Sequence, residues 1–214
     1  MLSHEKWKSF FPSIEAIPLG SSVFHFAPLI RDLAMWSGTR QVTKPSFEKA
    51  FEEGKSVVMI PGGISELRLS KSNSKVIELS GKHRGFVKLA FKHGTPIVPV
   101  FSFGETLTFD VVDVPFISKL LYKFLGIPFP YFTGIGGFLQ LPRRKPITVV
   151  FGSPIQVEKD DNPSDEKVKQ VHKQFYSELV KLFEKHKEQY GHGDYTLKVL
   201  YMDDSEQQQQ KIRK

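Results

Sequence analysis

The chain has 214 residues, 40% of them hydrophobic, enough for a sizeable core, and no linker separates two apolar halves. It holds no cysteine, which excludes disulfides and acyl-cysteine catalysis and leaves the redox compartment unmarked. A net charge of +7 draws it to anionic surfaces without choosing among acidic lipid, nucleotide phosphate and nucleic acid.

Met1 to Gly20 lacks the charged start, apolar core and cleavage site of a signal peptide. Arg31 to Gly38 reads as a short helix, and Pro45 to Glu53 as another, with Pro45 in its first turn and Gly54 just past its end. Val57, Val58, Met59 and Ile60 form an apolar run that predicts a buried strand, stopped by Pro61-Gly62-Gly63, with Glu66 close behind. Gly85 to His93 predicts a largely buried helix with Gly94 as its C-terminal cap, and Pro96 to Phe101 a second buried strand. Strand, helix and strand in that order predict an α/β fold with a partly parallel sheet flanked by helices. In such folds chemistry gathers on the loops leaving the strands, which here carry Gly62, Gly63, Glu66, Gly104 and Glu105.

Residues 114-139 are apolar and aromatic but broken by Pro128, Pro130 and glycines. Phe116, Ile117, Leu120, Leu121, Phe124 and Leu125 share one helical face, and Lys119 and Lys123 lie elsewhere on it. That pattern fits a helix lying in a membrane interface or one packed on the core; the aromatic run Phe129 to Phe132 favours the interface. No stretch reaches the ~18 consecutive apolar residues of a spanning helix. Ile147 to Phe151 reads as a strand. A long helix runs from the N-cap candidate Ser164 to near Tyr190, with Val168, Val171, Phe175, Leu179 and Leu182 as its buried stripe. After Gly191 the core-forming pattern fades, so the expected domain is 1-191, followed by a flexible tail over 192-214 that includes four consecutive glutamines.

Each motif residue also has a plain reading. Gly62-Gly63 serves a turn that needs positive φ. Glu66 and Glu105 can each hold a loop through backbone N–H groups or line a site. Arg84 and Lys88 are spaced to share a helix face, as solvated charges or as partners for phosphate. No GxSxG elbow, GxxxxGK[ST] or GxGxxG loop, or metal-ligand spacing occurs, and the scattered lysines match no nucleic-acid module.

Three blocks carry a resemblance: Gly62-Gly63-x-x-Glu66, Arg84-Gly85-Phe86-Val87-Lys88-Leu89-Ala90, and Val98-Pro99-Val100-Phe101-Ser102-Phe103-Gly104-Glu105. With weaker matches at Pro28 to Asp32, Lys145 to Thr148 and Gly152 to Ile155, the chain from about Phe11 to Tyr190 resembles the second-type diacylglycerol acyltransferase family. That family includes the monoacylglycerol and wax-ester acyltransferases. The resemblance implies the glycerolipid acyltransferase fold, a mixed, partly parallel sheet flanked by helices. It also implies acyl-CoA as co-substrate with no bound cofactor or metal, an acylglycerol acceptor, and residence at the endoplasmic reticulum membrane or lipid droplet surface, alone or as an oligomer. Gly62, Gly63 and Glu66 would shape the pocket floor, Arg84 and Lys88 would meet the donor, Phe103, Gly104 and Glu105 would close the site, and Gly85, Phe86 and Pro99 would belong to the same pocket. The glycine block has no arginine between Gly62 and Glu66, which fits an uncharged acceptor, though Arg68 lies close.

One departure bears on activity. The family's HPHG block, source of its general base, is absent, and none of the seven histidines has an aspartate five positions on. Such a base contributes roughly two to four powers of ten in rate. The expectation is therefore a truncated form or a short paralogue with little turnover by itself, with His25 and His4 as weak substitutes for the base. The alternative is a non-catalytic protein that binds lipid or acyl-CoA, or that partners a full-length acyltransferase.

Overall fold

A computed structural model describes residues 4–21, 30–63, 66, 69, 74–112, 131–137 and 141–201. The chain divides into two compact units, Met1–Ile60 and Pro61–Lys214.

In the first unit, helix α1 (His4–Phe10) leads to strand β1 (Ala16–Gly20), and the Trp7 indole N–H donates to the Ile14 carbonyl at 2.6 Å between them. Helix α2 (Ile30–Trp36), strand β2 (Arg40–Gln41), helix α3 (Lys44–Glu52) and strand β3 (Ser56–Val58) follow. Thr43 caps α3 by accepting the Ser46 amide on its side chain, Pro45 fits the first turn where no amide partner is needed, and Gly54 turns the chain at φ 68°. The sheet order is β2-β1-β3, both pairs parallel, with Ile17 opposite Val57 and Leu19 opposite Arg40. Ile17, Leu19, Phe47 and Ala50 are buried.

The buried strand expected over Val57 to Ile60 is corrected here. Pairing covers Ser56–Val58, and Val58 and Ile60 are 48% and 67% exposed. Among the described residues β3 is an edge strand with one neighbour, so an apolar run here does not mean burial on both faces.

In the second unit, β4 (Val76–Ser80) is followed by helix α4 (Gly85–His93), β5 (Val100–Phe103), a 3-10 turn (Glu105–Leu107), β6 (Asp110–Val112), β7 (Tyr131–Thr133), β8 (Thr148–Phe151), helix α5 (Asp165–His186) and β9 (Thr196–Leu200). β4 and β9 pair parallel, β5 and β8 antiparallel, and β6 and β7 antiparallel. The fold is thus mixed α/β, as expected. The parallel pairs, however, are β1 with β2 and β3, and β4 with β9, rather than the strands on either side of α4. β5 also departs from the buried run expected over Pro96 to Phe101. Its burial alternates, with Phe101 and Phe103 inward and Val100 outward, as in an antiparallel strand with one wet face.

The long helix is capped as expected, the Ser164 side chain accepting the Lys167 amide at 3.3 Å. Its buried stripe is Val168, His172, Phe175, Tyr176, Leu179 and Phe183. Phe175, Tyr176, Leu179 and Phe183 share a core with Phe101, Phe103, Ile155 and Leu197, and Val168 joins Val87, Ala90 and Phe91 of α4. The loss of pattern expected from residue 192 is corrected for Thr196–Leu200, where Leu197 is buried in that core. Residues 202–214 lie outside the described residues.

Most of the segment read as an interfacial helix, residues 113–130 and 138–140, also lies outside them; Tyr131–Thr133 is strand β7. No described helix is long and apolar enough to cross a membrane.

Candidate functional site

Glu66 sits on the helical turn after Pro61-Gly62-Gly63, its amide donating to the Gly63 carbonyl at 3.2 Å. Gly63 has φ 53°, the positive-φ turn position the sequence called for. Gly62 is glycine for another reason. A Cβ there would lie 2.0 Å from Glu66 Cδ and Oε1, so the carboxyl of Glu66 is folded onto its own turn. From there Oε1 accepts the backbone N–H of Ser80, at the end of β4, at 3.2 Å. Burial pushes the Glu66 carboxyl up to about 7; the Ser80 amide opposes this and the negative charge of Glu105 adds to it. The negative charge of Glu105, in the FGE block, is thus felt at Glu66 of the glycine block.

Around them lie residues that no motif contains. Ser80 is 1% exposed, and its carbonyl accepts the Tyr176 hydroxyl at 2.9 Å. Burial raises the Tyr176 hydroxyl well above its ordinary value, and Glu66 and Tyr201 add to the effect. The His172 ring packs 5.0 Å from that of Tyr176 and 6.0 Å from that of Phe86. His172 is 1% exposed, and its Nε2 is buried without a hydrogen-bond partner among the described residues. Burial holds it below the usual histidine value, Arg84 pushes the same way, and a hydrogen bond with the His83 backbone opposes them. Spacing on α5 offered a signal for His172 and Tyr176, four apart and in phase with Val168 and Phe183. A stripe read from purely apolar residues passes over them.

The remaining sequence candidates are distributed as follows. Arg84 is the N-cap residue of α4, with Nε buried and its charge felt at His172. Lys88 is exposed and pairs with Asp165 at 3.2 Å. Gly85 opens α4 with nothing near the position of a Cβ, and the Phe86 ring meets Phe175 edge-on at 5.3 Å. Pro99 is fully buried and its carbonyl accepts the Gly152 amide at 2.8 Å. Phe103 belongs to the core, stacked on Phe183 at 5.7 Å. Gly104 turns the chain at φ 86°, and Glu105 is exposed. Thr106 and Leu107, next along, line a surface hollow of about 370 Å³ with Ser74, Asp110, Arg143, Lys145 and Tyr195.

The backbone of His4 lies on α1, in the first unit, and His25 lies outside the described residues. His192 is buried, with Nδ1 2.8 Å from the Tyr190 carbonyl oxygen, and His186 stacks on Tyr190. Among the described residues no three His, Asp or Glu side chains gather as metal ligands would.

Such a site offers a proton-holding carboxyl beside a glycine turn, backed by a buried hydroxyl. The family model described as "Diacylglycerol acyltransferase" matches residues 5–200. The chain is 34% identical over 201 residues to 2-acylglycerol O-acyltransferase 1 of Bos taurus, covering 88% of this chain and 60% of that protein. It is 32% identical over 194 residues to acyl-CoA wax alcohol acyltransferase 2 of Mus musculus, covering 85% and 58%. With diacylglycerol O-acyltransferase 1 of Schizosaccharomyces pombe the identity is 33% over 190 residues, covering 83% and 55%. The chain thus spans no more than 60% of the length of these relatives. No solved structure matches it. The match runs through both units and through all three sequence blocks, and on that ground the chain belongs to the diacylglycerol acyltransferase family.

Proposed function

We propose that the chain is the part of an acyl-CoA-dependent O-acyltransferase that carries the acceptor side of the site, for transfer of a fatty acyl group to the hydroxyl of a mono- or diacylglycerol. In the reaction the hydroxyl oxygen attacks the thioester carbonyl carbon, the C–O bond forms, the C–S bond breaks, and the hydroxyl proton ends on the sulfur of coenzyme A. The observation that carries this reading is the partly buried carboxyl of Glu66, folded over Gly62 of its own block and accepting the Ser80 amide. A carboxyl that titrates at about 7 can accept a hydrogen bond from an acceptor hydroxyl or return one, which is what a group exchanging a proton at neutral pH must do. Two carboxyls in mutual repulsion also make poor company for a phosphate, which favours an uncharged acceptor. The names of the relatives, which cover acylglycerol and wax alcohol acceptors, support the same class. We place its work at the endoplasmic reticulum membrane or a lipid droplet, with residues 114-139 as the interfacial segment; the apolar composition of that segment supports this.

A second reading has one specific observation behind it. These 214 residues contain no HPHG, which favours, for these residues by themselves, binding of lipid or acyl-CoA without turnover. The deciding experiment is acyl transfer from labelled acyl-CoA to diacylglycerol by membranes of acyltransferase-deficient cells. The chain is expressed alone and beside a form with an HPHG-bearing segment from a full-length relative restored, folding being checked in both. Transfer only in the restored form is expected. Transfer in both would assign the base to this chain, and its loss in His25→Ala would name it. Transfer in neither would overturn the acyltransferase reading in favour of binding alone.

A further inference from the structure

Tyr176 lies outside every family block, yet its hydroxyl reaches from α5 to the strand end that contacts Glu66. Its hydroxyl donates to the Ser80 carbonyl at 2.9 Å, and the amide of the same Ser80 donates to Glu66 Oε1 at 3.2 Å. One residue's backbone therefore joins a buried hydroxyl on the helix to the candidate carboxyl on the loop.

We propose that Tyr176 is a positioning residue, holding the end of β4 so that the Ser80 amide stays aimed at the Glu66 carboxyl and that carboxyl keeps its facing toward the acceptor. The inference rests on the reading of Glu66 given above and adds to it a residue the family blocks do not contain.

The location of Ser80 gives the hydroxyl this task. Ser80 is the last residue of a five-residue strand whose one described neighbour is β9, and the chain runs on through residues 81–84 without regular structure. A ladder on one side sets the peptide plane weakly at such an end. The brace comes from α5, a 22-residue helix whose Phe175, Leu179 and Phe183 are locked in the core. A side chain so held can fix a neighbour to within the tolerance a site needs. The next residue is fixed too, since the Gly81 amide donates to the Leu200 carbonyl at 2.8 Å and a Cβ there would come within 3.0 Å of the Tyr201 ring. The ionisable groups around the pair are Glu105 after β5, whose charge is felt at Glu66, and Tyr201 after β9 and His172 on α5, both beside Tyr176, with the charge of Arg84 felt at His172.

The test is a pH titration by NMR of the full chain labelled with carboxyl-13C glutamate, in the parent, Tyr176→Phe and Phe175→Leu forms. Tyr176→Phe keeps the packed ring and removes only the hydroxyl. With the Ser80 amide no longer held, the ionised form of Glu66 loses a hydrogen bond, and its midpoint is expected about 0.5 higher than the parent's. Phe175→Leu disturbs the same helix without touching Ser80, and is expected to leave the midpoint in place. A Tyr176→Phe midpoint equal to the parent's, or an equal change in Phe175→Leu, overturns the proposal.

Should Tyr176→Phe fail to fold, the parent protein decides. The Ser80 amide 15N and Tyr176 ring 13Cζ resonances must both follow the Glu66 midpoint, and silence in either overturns the proposal.

In the restored-segment transfer assay, Tyr176→Phe is expected to lower kcat about tenfold with the KM for acyl-CoA nearly unchanged. Glu66→Gln is assayed beside it. Parental transfer by Glu66→Gln would remove Glu66 from the site and the catalytic meaning of Tyr176 with it, whereas a failed titration removes Tyr176 alone.

Discussion

Gly62 and Gly104 belong to the first and last of the three family blocks, and each needs to lack a side chain for a different reason. At Gly62 the space is filled by the Glu66 carboxyl, 2.0 Å from where a Cβ would stand, and the far end of a side chain can swing away. Gly62→Ala is therefore expected to leave the fold nearly as stable as before while turning the Glu66 carboxyl out into water. Burial is the largest cause of the raised Glu66 value, so losing it outweighs losing the Ser80 amide, and the midpoint should fall from about 7 toward the ordinary 4.5. A carboxyl-13C titration that still reads near 7 in this variant would contradict the packing of Glu66 on Gly62. At Gly104 the obstacle is backbone. Its φ is 86°, and the Pro146 carbonyl oxygen would lie 2.2 Å from a Cβ. Neither can give way cheaply, so Gly104→Ala is expected to cost about 1–3 kcal/mol from the dihedral alone, with the contact adding to it. Urea unfolding of the variant beside the parent measures the sum.

At the scale of elements, α5 organises the second unit, and Phe183 is its deepest apolar contact, fully buried with ring centroids 5.1 Å from Phe101 and 5.7 Å from Phe103. Phe183→Ala is expected to lower stability by about 3–5 kcal/mol, read as a drop in the urea midpoint. This helix was legible in the sequence because its signals are local: Ser164 before Asp165 and Glu166, then a 3.6-residue apolar period. Local signals likewise gave α4 with its Gly94 cap and α3 with Pro45 and Gly54. Strands fared worse. An apolar run states that residues avoid water, not how many neighbours a strand has, and so the edge strand β3 and the half-wet β5 both read as buried. β9 was missed because its five residues follow a polar, glycine-bearing stretch, while its partner begins at Val76, opposite Thr196. The site divides in the same way. Gly62, Glu66 and Glu105 were found from motifs, but the contact of Glu66 with Ser80, and the places of His172 and Tyr176, depend on pairings between distant segments that no periodicity encodes. A chain ending at Gly191 tests the weight of the missed strand. Without β9, Leu197 leaves the core and β4 loses the partner that aligns Ser80, so amide exchange over residues 76–80 should quicken beyond that of α5. Equal protection in the shortened and full chains would show that β4 is held by other means.

For the molecule as a whole, the partly buried Glu66 and the buried His172 pull stability in opposite directions as pH changes. The folded Glu66 titrates at about 7 against an ordinary 4.5, so between these values the folded state binds more protons than the unfolded one, and stability falls as pH rises through that window. His172 is held below its ordinary 6.5, so below that value the unfolded state binds more protons, and stability falls as pH drops. Asp110, Asp160 and Asp194, each lowered first by its hydrogen bond to a basic partner, act only at more acid pH, when the carboxylates beside Arg143, Lys167 and Lys75 protonate. The parent should therefore be most stable in mildly acid solution. Glu66→Gln keeps a neutral hydrogen-bonding group and removes the titration, so its stability should stop declining between about pH 5 and 7 while its acid limb follows the parent. The gain at pH 8 is expected to be about 1–2 kcal/mol, below the full linkage value because Glu66 keeps some contact with solvent. His172→Asn should flatten the acid limb and leave the other alone. Urea midpoints measured from pH 4 to 8 on the three proteins separate the two limbs. If Glu66→Gln declined with the parent up to pH 8, Glu66 would be ionised in the folded state well below neutrality, and the proton proposed to be exchanged with an acceptor hydroxyl would have to be held elsewhere.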